Sequence, residues 1–487
     1  MAAASAVLTD HQEAAVAAFS QWLQAPAAGC PFVLSGFAGT GKTFLSMRFL
    51  AQVEAAGLCW TVVAPTHKAV GVLRQHLQLA GLRPTWYPST IHRLLRLKLR
   101  RERDLERCEE TEQTALALEH LGLVLVDEAS MVDSTLLEIC LRCAHPFACR
   151  LVFVGDPAQL PPVGEPTSPV FALQRRAGAE LRQVVRHQGP VLALATALRQ
   201  GDLPCHQPPP LPLWRTSTGA VVAMNRGEWL RAAQEALRRS AATDNPDLVR
   251  LLCYTNRTLE ALVPLARRAL HGAMADQLPV LPGEVLITRA AVMAPACAAG
   301  EEAAEEPDMV LGTNRELVVE DVTPTRCDLA DFGLTAELGL APPVIDTLSA
   351  QVNTGEARLS LRLLPPLGTA QRQLLDDTLQ QLRQRAREAG KREGRPLWRR
   401  FFLLRDAFAS LGPAAVLSVH RAQGSTFGEV FVAADVFWPQ DETLRRQLVY
   451  VAVSRASQAV TLMAGAAPEV EQARWRRWHQ EALAAEA

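Results

Sequence analysis

Short, continuously apolar segments recur along the chain, and each is followed by glycine or polar residues. The clearest is Leu121–Val126, and similar segments occupy residues 31–35 and 150–154. Strands that are buried on both faces of a parallel sheet have this pattern. Helical apolar spacing follows the first segment, at Phe44, Leu45, Met47, Phe49, Leu50 and Val53. The alternation of strand and helix patterns predicts an α/β fold.

The second half of the chain repeats this pattern. Apolar, β-branched segments predict further strands at Leu248–Tyr254, Ala415–Val419, Glu429–Ala434 and Val449–Val453. A chain of 487 residues exceeds a single hydrophobic core and predicts three or four domains. We expect a first sheet domain at residues 1–170 and a second at residues 171–282 and 405–487.

A short insertion is predicted within the first domain, at residues 93–114. Leucines alternate with basic residues at Leu95, Leu97 and Leu99, which predicts one arm of a hairpin. The charge spacing of the same stretch fits a solvated helix equally well, so both interpretations stay open.

A longer insertion is predicted within the second domain, at residues 283–404. Short antiparallel strands are expected at Gly283–Ile287, Met309–Leu311, Glu316–Val322 and Glu356–Leu364. A helix is expected at Thr369–Ala389. The segment Trp398–Phe402 interleaves aromatic residues with arginines, a pattern that fits either base stacking or core packing.

Residues 36–43 have the form G-x-x-x-x-G-K-[ST] between a strand and a helix, the arrangement of a phosphate-binding loop. Backbone N–H groups in such loops surround the β-phosphate, and the helix N-terminus adds positive potential. We expect Lys42 to reach the β- and γ-phosphates of ATP and the Thr43 hydroxyl to bind Mg²⁺. The rest of the predicted cradle is Gly36, Ala38, Gly39, Thr40 and Gly41.

Asp127 and Glu128 follow Leu121–Val126, at the strand end where parallel sheets bind ligands. We expect Asp127 to hold Mg²⁺ and Glu128 to orient the attacking water, although an acidic helix cap is an alternative. Gln159 follows the strand at 150–154 and is expected to sense the γ-phosphate.

A second phosphate-loop sequence does not occur in the second half of the chain. We therefore expect the second domain to close over ATP that is bound to the first. Arg186 and Arg455 are the candidates for the positive charge that reaches across. For either arginine alone, a surface salt bridge is the alternative.

Composition narrows the class of protein. The net charge is −1, so any affinity for nucleic acid must come from local basic patches. The first residues lack the features of a signal peptide, and no apolar stretch approaches the ~20 residues that span a bilayer. The ten cysteines show no disulfide framework, so we expect a cytoplasmic protein. Burial explains the cluster Cys140, Cys143, His145 and Cys149 more simply than a metal site.

A series of short segments follows the order of the helicase motifs. Gln12, at the end of Leu8-Thr9-Asp10-His11-Gln12, resembles an adenine-reading glutamine. Motifs Ia to VI are resembled in turn by Ala64–Ala69, Ser89–His92, Val126–Met131, Gly155–Val163, Val185–Arg186 with Ala195–Gly201, Ser418–Ser425 and Tyr450–Ala456. The series runs from about residue 8 to 462 and is similar to superfamily 1 helicases of the RecD/Dda-like branch.

This resemblance implies two tandem RecA-like parallel-sheet domains, a duplex-splitting pin at 93–114 and an SH3-like barrel at 283–404. It implies a DNA helicase that uses ATP and Mg²⁺ to move 5′ to 3′ along single-stranded DNA and to unwind forks. Gln12 and Gly424 would add contacts to the nucleotide. We expect a monomer, and the sequence identifies no protein partner.

DNA contacts are expected on the segments that face away from ATP. They are Thr66, His67, Lys68, Thr90 and His92 in the first domain, and Thr255, Asn256, Ser418 and His420 in the second. Such donors would bind phosphate oxygens without reading sequence. Capping of loops and helices is the alternative for each of these residues.

The chain departs from the family pattern at the pin, which contains no aromatic residue to stack on a base. Trp86 and Tyr87, just before motif Ib, are candidate substitutes. A translocase that displaces proteins without efficient unwinding is therefore an alternative, and an ATP-gated switch without motor activity is another. An RNA track also stays open, because phosphate contacts do not distinguish the two sugars.

Overall fold

The computed structural model describes residues 8–25, 30–102, 105–175, 177–183, 189–294, 309–334 and 344–484. The chain divides into two compact units. The first comprises Met1–Lys98, Glu109–Leu262 and Val416–Ala487, and the second comprises Leu99–Cys108 and Val263–Ala415. The insertion predicted at 283–404 is thus the larger part of the second unit, whose main segment begins earlier, at Val263.

The amino-terminal part of the first unit alternates strands and helices. The strands along this stretch of the chain are β1 (Phe32–Gly36), β2 (Trp60–Ala64), β3 (Ser89–Thr90), β4 (Lys98–Glu102), β5 (Leu105–Glu109), β6 (Leu123–Val126), β7 (Arg150–Gly155) and β8 (Gly178–Leu181). Of these, β4 and β5 belong to the second unit except for Lys98 and Glu109. Its helices are α1 (Asp10–Gln24), α2 (Lys42–Ala55), α3 (His67–Ala80), α4 (Ile91–Leu94) and α5 (Ser134–Ala144).

Six of these strands form the first sheet, which is parallel throughout and has the order β3-β2-β6-β7-β1-β8. Strands β1, β2 and β6 are buried along their whole length, as their continuous apolar segments predict. Strand β8 pairs with β1, so the sheet continues to Leu181 and the domain boundary predicted at 170 is wrong. Its sequence, Gly-Ala-Glu-Leu, lacks the apolar run that marks the other strands.

Strands β4 and β5 pair with each other in a separate two-stranded sheet. The helical interpretation of 93–114 is therefore wrong for Lys98–Glu102 and Leu105–Glu109. Two of the alternating leucines precede the hairpin. Leu95 is buried in the core of the first unit, and Leu97 packs against that core. Whether the hairpin acts as a pin stays a prediction.

The chain then enters a second α/β region. Its first strands are β9 (Leu211–Thr216), β10 (Gly219–Met224) and β11 (Val249–Cys253), and its helices are α6 (Pro190–Gln200), α7 (Arg226–Ala242) and α8 (Asn256–His271). Helix α8 runs on into the second unit.

The second unit continues with β strands and two long helices. Its strands are β12 (Val285–Thr288), β13 (Val292–Met293), β14 (Met309–Leu311), β15 (Glu316–Asp328), β16 (Val344–Asn353), β17 (Arg358–Arg362) and β18 (Leu411–Pro413). Its helices are α9 (Met274–Gln277), α10 (Ala370–Glu388) and α11 (Gly390–Asp406).

Five strands of this unit form an antiparallel sheet in the order β17-β16-β15-β12-β18, and β13 pairs with β14. The predicted strands are present, whereas β16 was not predicted. An SH3-like barrel stays a prediction. Trp398 and Phe402 are buried against Ala386, so core packing is the interpretation of this aromatic cluster that holds.

The chain returns to the first unit at residue 416. The remaining elements are β19 (Val416–Ser418), α12 (Val419–Ala422), β20 (Phe427–Val432), α13 (Glu442–Ser454), β21 (Ala456–Met463) and α14 (Glu469–Ala484). The second sheet has the order β19-β11-β20-β21-β10-β9 and is parallel except for β9, which runs antiparallel to β10 at the edge.

The strand predicted at Val449–Val453 is wrong, because these residues lie in helix α13. Every residue from Gln447 to Val453 is buried, so the apolar run shows no helical period. A buried helix and a buried strand cannot be distinguished by such a run alone. The carboxyl-terminal strand of the second sheet is β21, which begins two residues after the end of α13.

No helix in the described parts of the chain is long and apolar enough to cross a lipid bilayer.

The N-cap of α13 gives a test of this helix. Asp441 Oδ1 accepts from the amides of Thr443 at 2.8 Å and Leu444 at 3.2 Å. Replacing such a cap by alanine costs about 1 kcal/mol, so Asp441→Ala should speed local amide exchange about fivefold. Hydrogen exchange of a peptide that covers residues 442–448 measures this.

Asp441→Asn is the matched control, since an asparagine oxygen can accept the same two bonds. Equal exchange rates in both variants would mean that the carboxylate does not cap α13.

Candidate nucleotide-binding site

The glycine-rich loop connects the end of β1 to the start of α2. Gly41 precedes the helix with φ +86°, a left-handed conformation that side chains rarely adopt. A Cβ atom at Gly41 would also lie 2.6 Å from Gln12 Nε2. Both constraints require glycine at this position. The loop therefore has the compact turn that the sequence pattern predicts.

Gln12 holds this loop from α1. Its Nε2 donates to Thr40 O at 3.0 Å, and its Oε1 accepts from Thr9 N at 3.2 Å in a capping box. The side chain is 3% exposed. Gln12 thus joins helix α1 to the phosphate loop. Because one Nε2 hydrogen is donated to Thr40 O, the predicted contact with adenine would have to use the second Nε2 hydrogen.

Lys42 lies among three carboxylates. Its ammonium donates to Gly36 O at 2.8 Å and to Phe37 O at 2.9 Å. Burial lowers the pKa of Lys42, and Asp156, Glu128 and Asp127 oppose that shift in this order of strength. The lysine charge is therefore held by acidic residues from the ends of β6 and β7.

Asp127 and Glu128 follow β6 in a strained turn. Glu128 has φ 52° and ψ 42°, a left-handed conformation that is unusual for a residue with a side chain. Its amide donates to Asp127 Oδ1 at 2.8 Å. Burial and the neighbouring Glu128 carboxylate raise the pKa of Asp127 to about 7.

These carboxylates fit a divalent cation. In a desolvated site, each of two neighbouring carboxylates raises the pKa of the other. A cation that binds between these carboxylates and phosphate oxygens stabilises their charged forms. Asp127 and Thr43, which lies in the first turn of α2, are the residues that would hold Mg²⁺.

Asp156, directly after β7, contacts residues of both sheets. The carboxylate is fully buried and accepts from Ala158 N at 3.0 Å, from Arg199 Nη2 at 2.9 Å and from the Tyr450 hydroxyl at 2.6 Å. Arg199 lies on α6 and Tyr450 on α13. Two of the three hydrogen-bond donors to this first-sheet carboxylate therefore come from the second-sheet region.

Tyr450 also contacts the phosphate loop directly, since its oxygen accepts from Ala38 N at 3.1 Å. Burial, together with the Asp156 carboxylate, raises the pKa of the phenol, so the hydroxyl keeps its proton for donation. Neither Tyr450, Arg199 nor Asp156 is among the predicted site residues. Each lies inside a segment that resembles a helicase motif, which is the pattern that could have identified it.

Gln423 makes a second connection between the sheets. Its Nε2 lies 3.1 Å from Ser130 Oγ, 3.2 Å from Leu160 O and 3.4 Å from Gln159 Oε1. It therefore contacts the segments after β6 and β7, including the predicted sensor Gln159. The neighbouring Gly424 is also close, because a Cβ atom there would lie 3.7 Å from Glu128 Oε1.

The two arginines predicted to reach across are placed differently. Arg186 lies outside the described residues. Arg455 is buried, and its guanidinium donates to Val451 O at 3.2 Å, Ser425 O at 3.1 Å and Ser454 Oγ at 3.0 Å. These three contacts all lie in the second-sheet region. The arginine that touches the phosphate loop is Arg199, whose guanidinium carbon lies 3.4 Å from the centre of the Phe37 ring.

The hydroxyl residues expected to bind DNA are helix caps. Thr66, Thr90 and Ser418 are the N-caps of α3, α4 and α12. Thr255 accepts from Thr258 N at 3.2 Å and donates to Asp435 Oδ2 at 2.9 Å. Capping is thus an observed role, and DNA binding by these residues stays a prediction. Thr90 and Ser418 are buried, which leaves Thr66 and Thr255 more accessible.

Lys68 contacts the second-sheet region. Its Nζ lies 3.3 Å from Asp247 Oδ1 and 4.7 Å from the centre of the Phe427 ring.

The other expected DNA contacts differ in exposure. Both Asn256 and His420 are exposed, and the His420 ring centre lies 6.0 Å from that of Tyr254. Burial lowers the pKa of His92, and Asp133 opposes the shift. His67 is half-buried at the start of α3.

The two aromatic candidates before β3 differ in exposure. Trp86 packs against the core of the first sheet. Tyr87 is 74% exposed, with the Arg74 guanidinium carbon 4.2 Å from its ring centre. Tyr87 is the more exposed of the two and is therefore the better candidate for stacking on a base.

The cysteine cluster belongs to the hydrophobic core. Cys140, Cys143 and Cys149 are buried with the apolar residues of α5 and β7, and burial raises the pKa of the Cys149 thiol to about 12. His145 is exposed. In the described parts of the chain, no three His, Cys, Asp or Glu side chains are grouped to hold a metal.

The loop, the acidic turn and the parallel sheet define a phosphate-loop nucleotide-binding fold. Residues 7–207 match the family model of an AAA domain, and residues 413–463 match that of a UvrD-like helicase C-terminal domain. Over these segments the chain is similar to superfamily 1 helicases of the Dda and RecD type.

Curated relatives include the ATP-dependent DNA helicase Dda of Enterobacteria phage T4, 33% identical over 34% of this chain and 37% of its own length. The ATP-dependent RecD2 DNA helicase of Deinococcus radiodurans is 33% identical over 35% of this chain and 22% of its length. An uncharacterised protein of Acanthamoeba polyphaga mimivirus is 31% identical over 29% of this chain and 31% of its length. The chain thus matches only about a third or less of each relative.

Solved structures with similarity include Pif1 helicase from Bacteroides in complex with ADP-AlF3 and ssDNA. It is 14% identical, with 98% of each chain covered and a TM-score of 0.47. Pif1 helicase from Candida albicans is 15% identical over 99% of this chain and 100% of that one, with a TM-score of 0.41. Scores at this level do not establish a shared fold.

The packing of Gln12 on the loop gives a test of the site. Gly41→Ala adds both backbone strain and the contact with Gln12, and should displace loop N–H groups from phosphate. We expect ADP affinity to fall about tenfold or more, the effect of losing one or more charged hydrogen bonds. Isothermal titration with ADP measures this.

Gly57→Ala is the control, because Gly57 has a similar φ of +70° with no atom near the added Cβ. It should carry the strain without the loss of affinity. Equal ADP affinities in Gly41→Ala and the unmodified protein would contradict this account of the loop.

Proposed function

We propose that the protein is an ATP-dependent DNA helicase that moves 5′ to 3′ along single-stranded DNA. The observation that carries this proposal is the contact of the second-sheet region with the nucleotide site of the first. Tyr450 binds the loop amide of Ala38, and Gln423 binds beside Gln159. Because only the first sheet has a phosphate loop, these contacts give the second sheet a way to respond to the nucleotide.

The positions of the candidate catalytic residues support the following roles. Lys42 would bind the outer phosphates, and Glu128 would orient the attacking water. Bound Mg²⁺ would neutralise phosphate charge, held by Thr43 and Asp127. Gln159 would pass the loss of the terminal phosphate to Gln423, since their side chains are 3.4 Å apart.

The DNA track is supported by the relatives, because Dda and RecD2 are DNA helicases by name. The 5′-to-3′ direction is inferred from the resemblance to their branch. On the chain itself, a capping hydroxyl such as Thr66 accepts from the backbone and keeps its own hydrogen for a phosphate oxygen. Asn256 and His420 are exposed donors on the second-sheet region.

A translocase with weak unwinding is the second candidate. It is favoured by the composition of the hairpin Lys98–Glu109, which contains no aromatic residue. Without a ring to stack on the last base pair, strand separation would rely on Tyr87 or on arginine stacking.

Hydrolysis of ATP with and without single-stranded DNA is the primary test. We expect DNA to stimulate turnover strongly. Lys42→Ala should lower turnover about 100-fold or more, as expected for loss of a group that stabilises charge in the transition state. Steady-state phosphate release measures both.

Glu128→Gln should also abolish turnover while leaving ATP binding intact. Appreciable turnover in this variant would contradict the water-orienting role. Turnover that is indifferent to nucleic acid would favour an ATP-gated switch over a motor.

Direction and unwinding are tested on forked DNA. We expect displacement of the duplex strand when the tail on the tracking strand is 5′ and none when it is only 3′. Movement without strand displacement, detected as removal of streptavidin from a biotinylated single strand, would favour the translocase.

Lys68 tests the DNA-binding face. If Lys68 neutralises one phosphate, Lys68→Ala should weaken binding and reduce the slope of log K against log salt by about 0.7. Fluorescence anisotropy of labelled oligothymidine at several salt concentrations measures the slope.

Asp247→Asn is the matched variant, because it removes the charge from the same ion pair while its amide oxygen can still accept from the buried Arg250, which lies 3.1 Å from Asp247 Oδ1. It should leave the salt slope unchanged. If both variants weaken DNA binding equally, then Lys68 acts only through its contact with the second-sheet region.

A further inference from the structure

Arg199 is the second-region arginine that lies on the phosphate loop. It occupies the last turn of α6, a helix that packs against β10, β21 and α13. Its guanidinium carbon lies 3.4 Å from the centre of the Phe37 ring, and its Nη2 lies 2.9 Å from Asp156 Oδ1. A planar cation is thus held between an aromatic face and a buried carboxylate.

One donor of this guanidinium is unused. Arg199 Nη1 is buried, and within the described parts of the chain it has no hydrogen-bond partner. The side chain is 10% exposed, so water gives little compensation. Buried donors are nearly always paired, and a charged donor beside a phosphate loop fits an anionic oxygen.

Arg455 differs in this respect. Each of its three guanidinium nitrogens already donates to a neighbouring oxygen in the second-sheet region. Binding a phosphate would require Arg455 to exchange at least one of these bonds. Arg199 could bind one with Nη1 and keep its ion pair with Asp156.

We propose that Arg199 contacts the terminal phosphate of a nucleoside triphosphate through Nη1. This inference rests on the proposed ATP hydrolysis and adds a specific residue to it. Lys42 would bind the β- and γ-phosphates together, whereas Arg199 packs on Phe37 within the loop, pairs with the acidic residue three positions before Gln159, and would contact the terminal phosphate alone. It therefore distinguishes ATP from ADP.

The test compares the affinities of Arg199 variants for mant-ADP and for the non-hydrolysable triphosphate mant-AMPPNP. Arg199→Ala should weaken triphosphate binding about tenfold to a hundredfold, the value of a charged hydrogen bond, and leave diphosphate binding within about twofold. Arg239→Ala is the control, because Arg239 is an exposed arginine of the same region that pairs with Glu429.

Arg199→Lys keeps the design informative if the alanine variant does not fold. Lysine can retain the ion pair with Asp156 but has no second arm for a phosphate. We expect the same selective loss of triphosphate affinity in this variant, with an unfolding temperature close to that of the unmodified protein.

Two results would overturn the proposal. Unchanged triphosphate affinity in Arg199→Lys would show that pairing with Asp156 is sufficient. An equal loss of mant-ADP and mant-AMPPNP would show a structural role only. If the unmodified protein binds neither nucleotide, the proposed function fails and this inference fails with it, whereas nucleotide-binding protein with unaffected variants overturns the role of Arg199 alone.

Discussion

The burial of one carboxylate, that of Asp156, is the constraint on which the nucleotide site depends. A charge removed from water costs several kcal/mol unless it is paired and hydrogen-bonded. Asp156 has three donors, and two of them, Arg199 and Tyr450, come from the second-sheet region. The Asp156 carboxylate therefore keeps all three of its donors only while the second sheet is in contact with the first. Separation of the two would remove two of the three donors and leave the amide of Ala158, which couples opening of the site to an electrostatic cost.

The phosphate loop, the acidic turn and half of the strands of the two sheets could be predicted from the sequence because each depends on local chemistry. A glycine with φ +86° before a helix, or a short apolar strand buried on both faces, leaves its pattern within a few residues. The segment Val449–Val453 shows where this fails. It is as apolar as a buried strand, yet it belongs to a helix whose N-cap, Asp441, lies eight residues earlier. Burial on all sides removes the periodicity that would have distinguished the two.

Contacts between residues that are far apart in the chain could not be predicted from the sequence. Gln423 meets Ser130, and Tyr450 meets Ala38, across separations of 293 and 412 residues along the chain. No local pattern encodes such pairs. The hydroxyl residues present a different difficulty, since Thr66 caps a helix in a position that also suits a phosphate contact. One residue type satisfies both needs with the same geometry, so sequence alone cannot separate them.

The left-handed backbone of Glu128 has a consequence for the evolution and engineering of this protein. A side chain in that conformation costs about 1–2 kcal/mol, which glycine would not incur. At the position of the predicted water-orienting carboxylate, glycine would therefore give a more stable protein than glutamate, but it has no side chain to orient water. Selection of variants for heat resistance alone would favour loss of this glutamate, so a thermostable library must be screened for turnover in parallel.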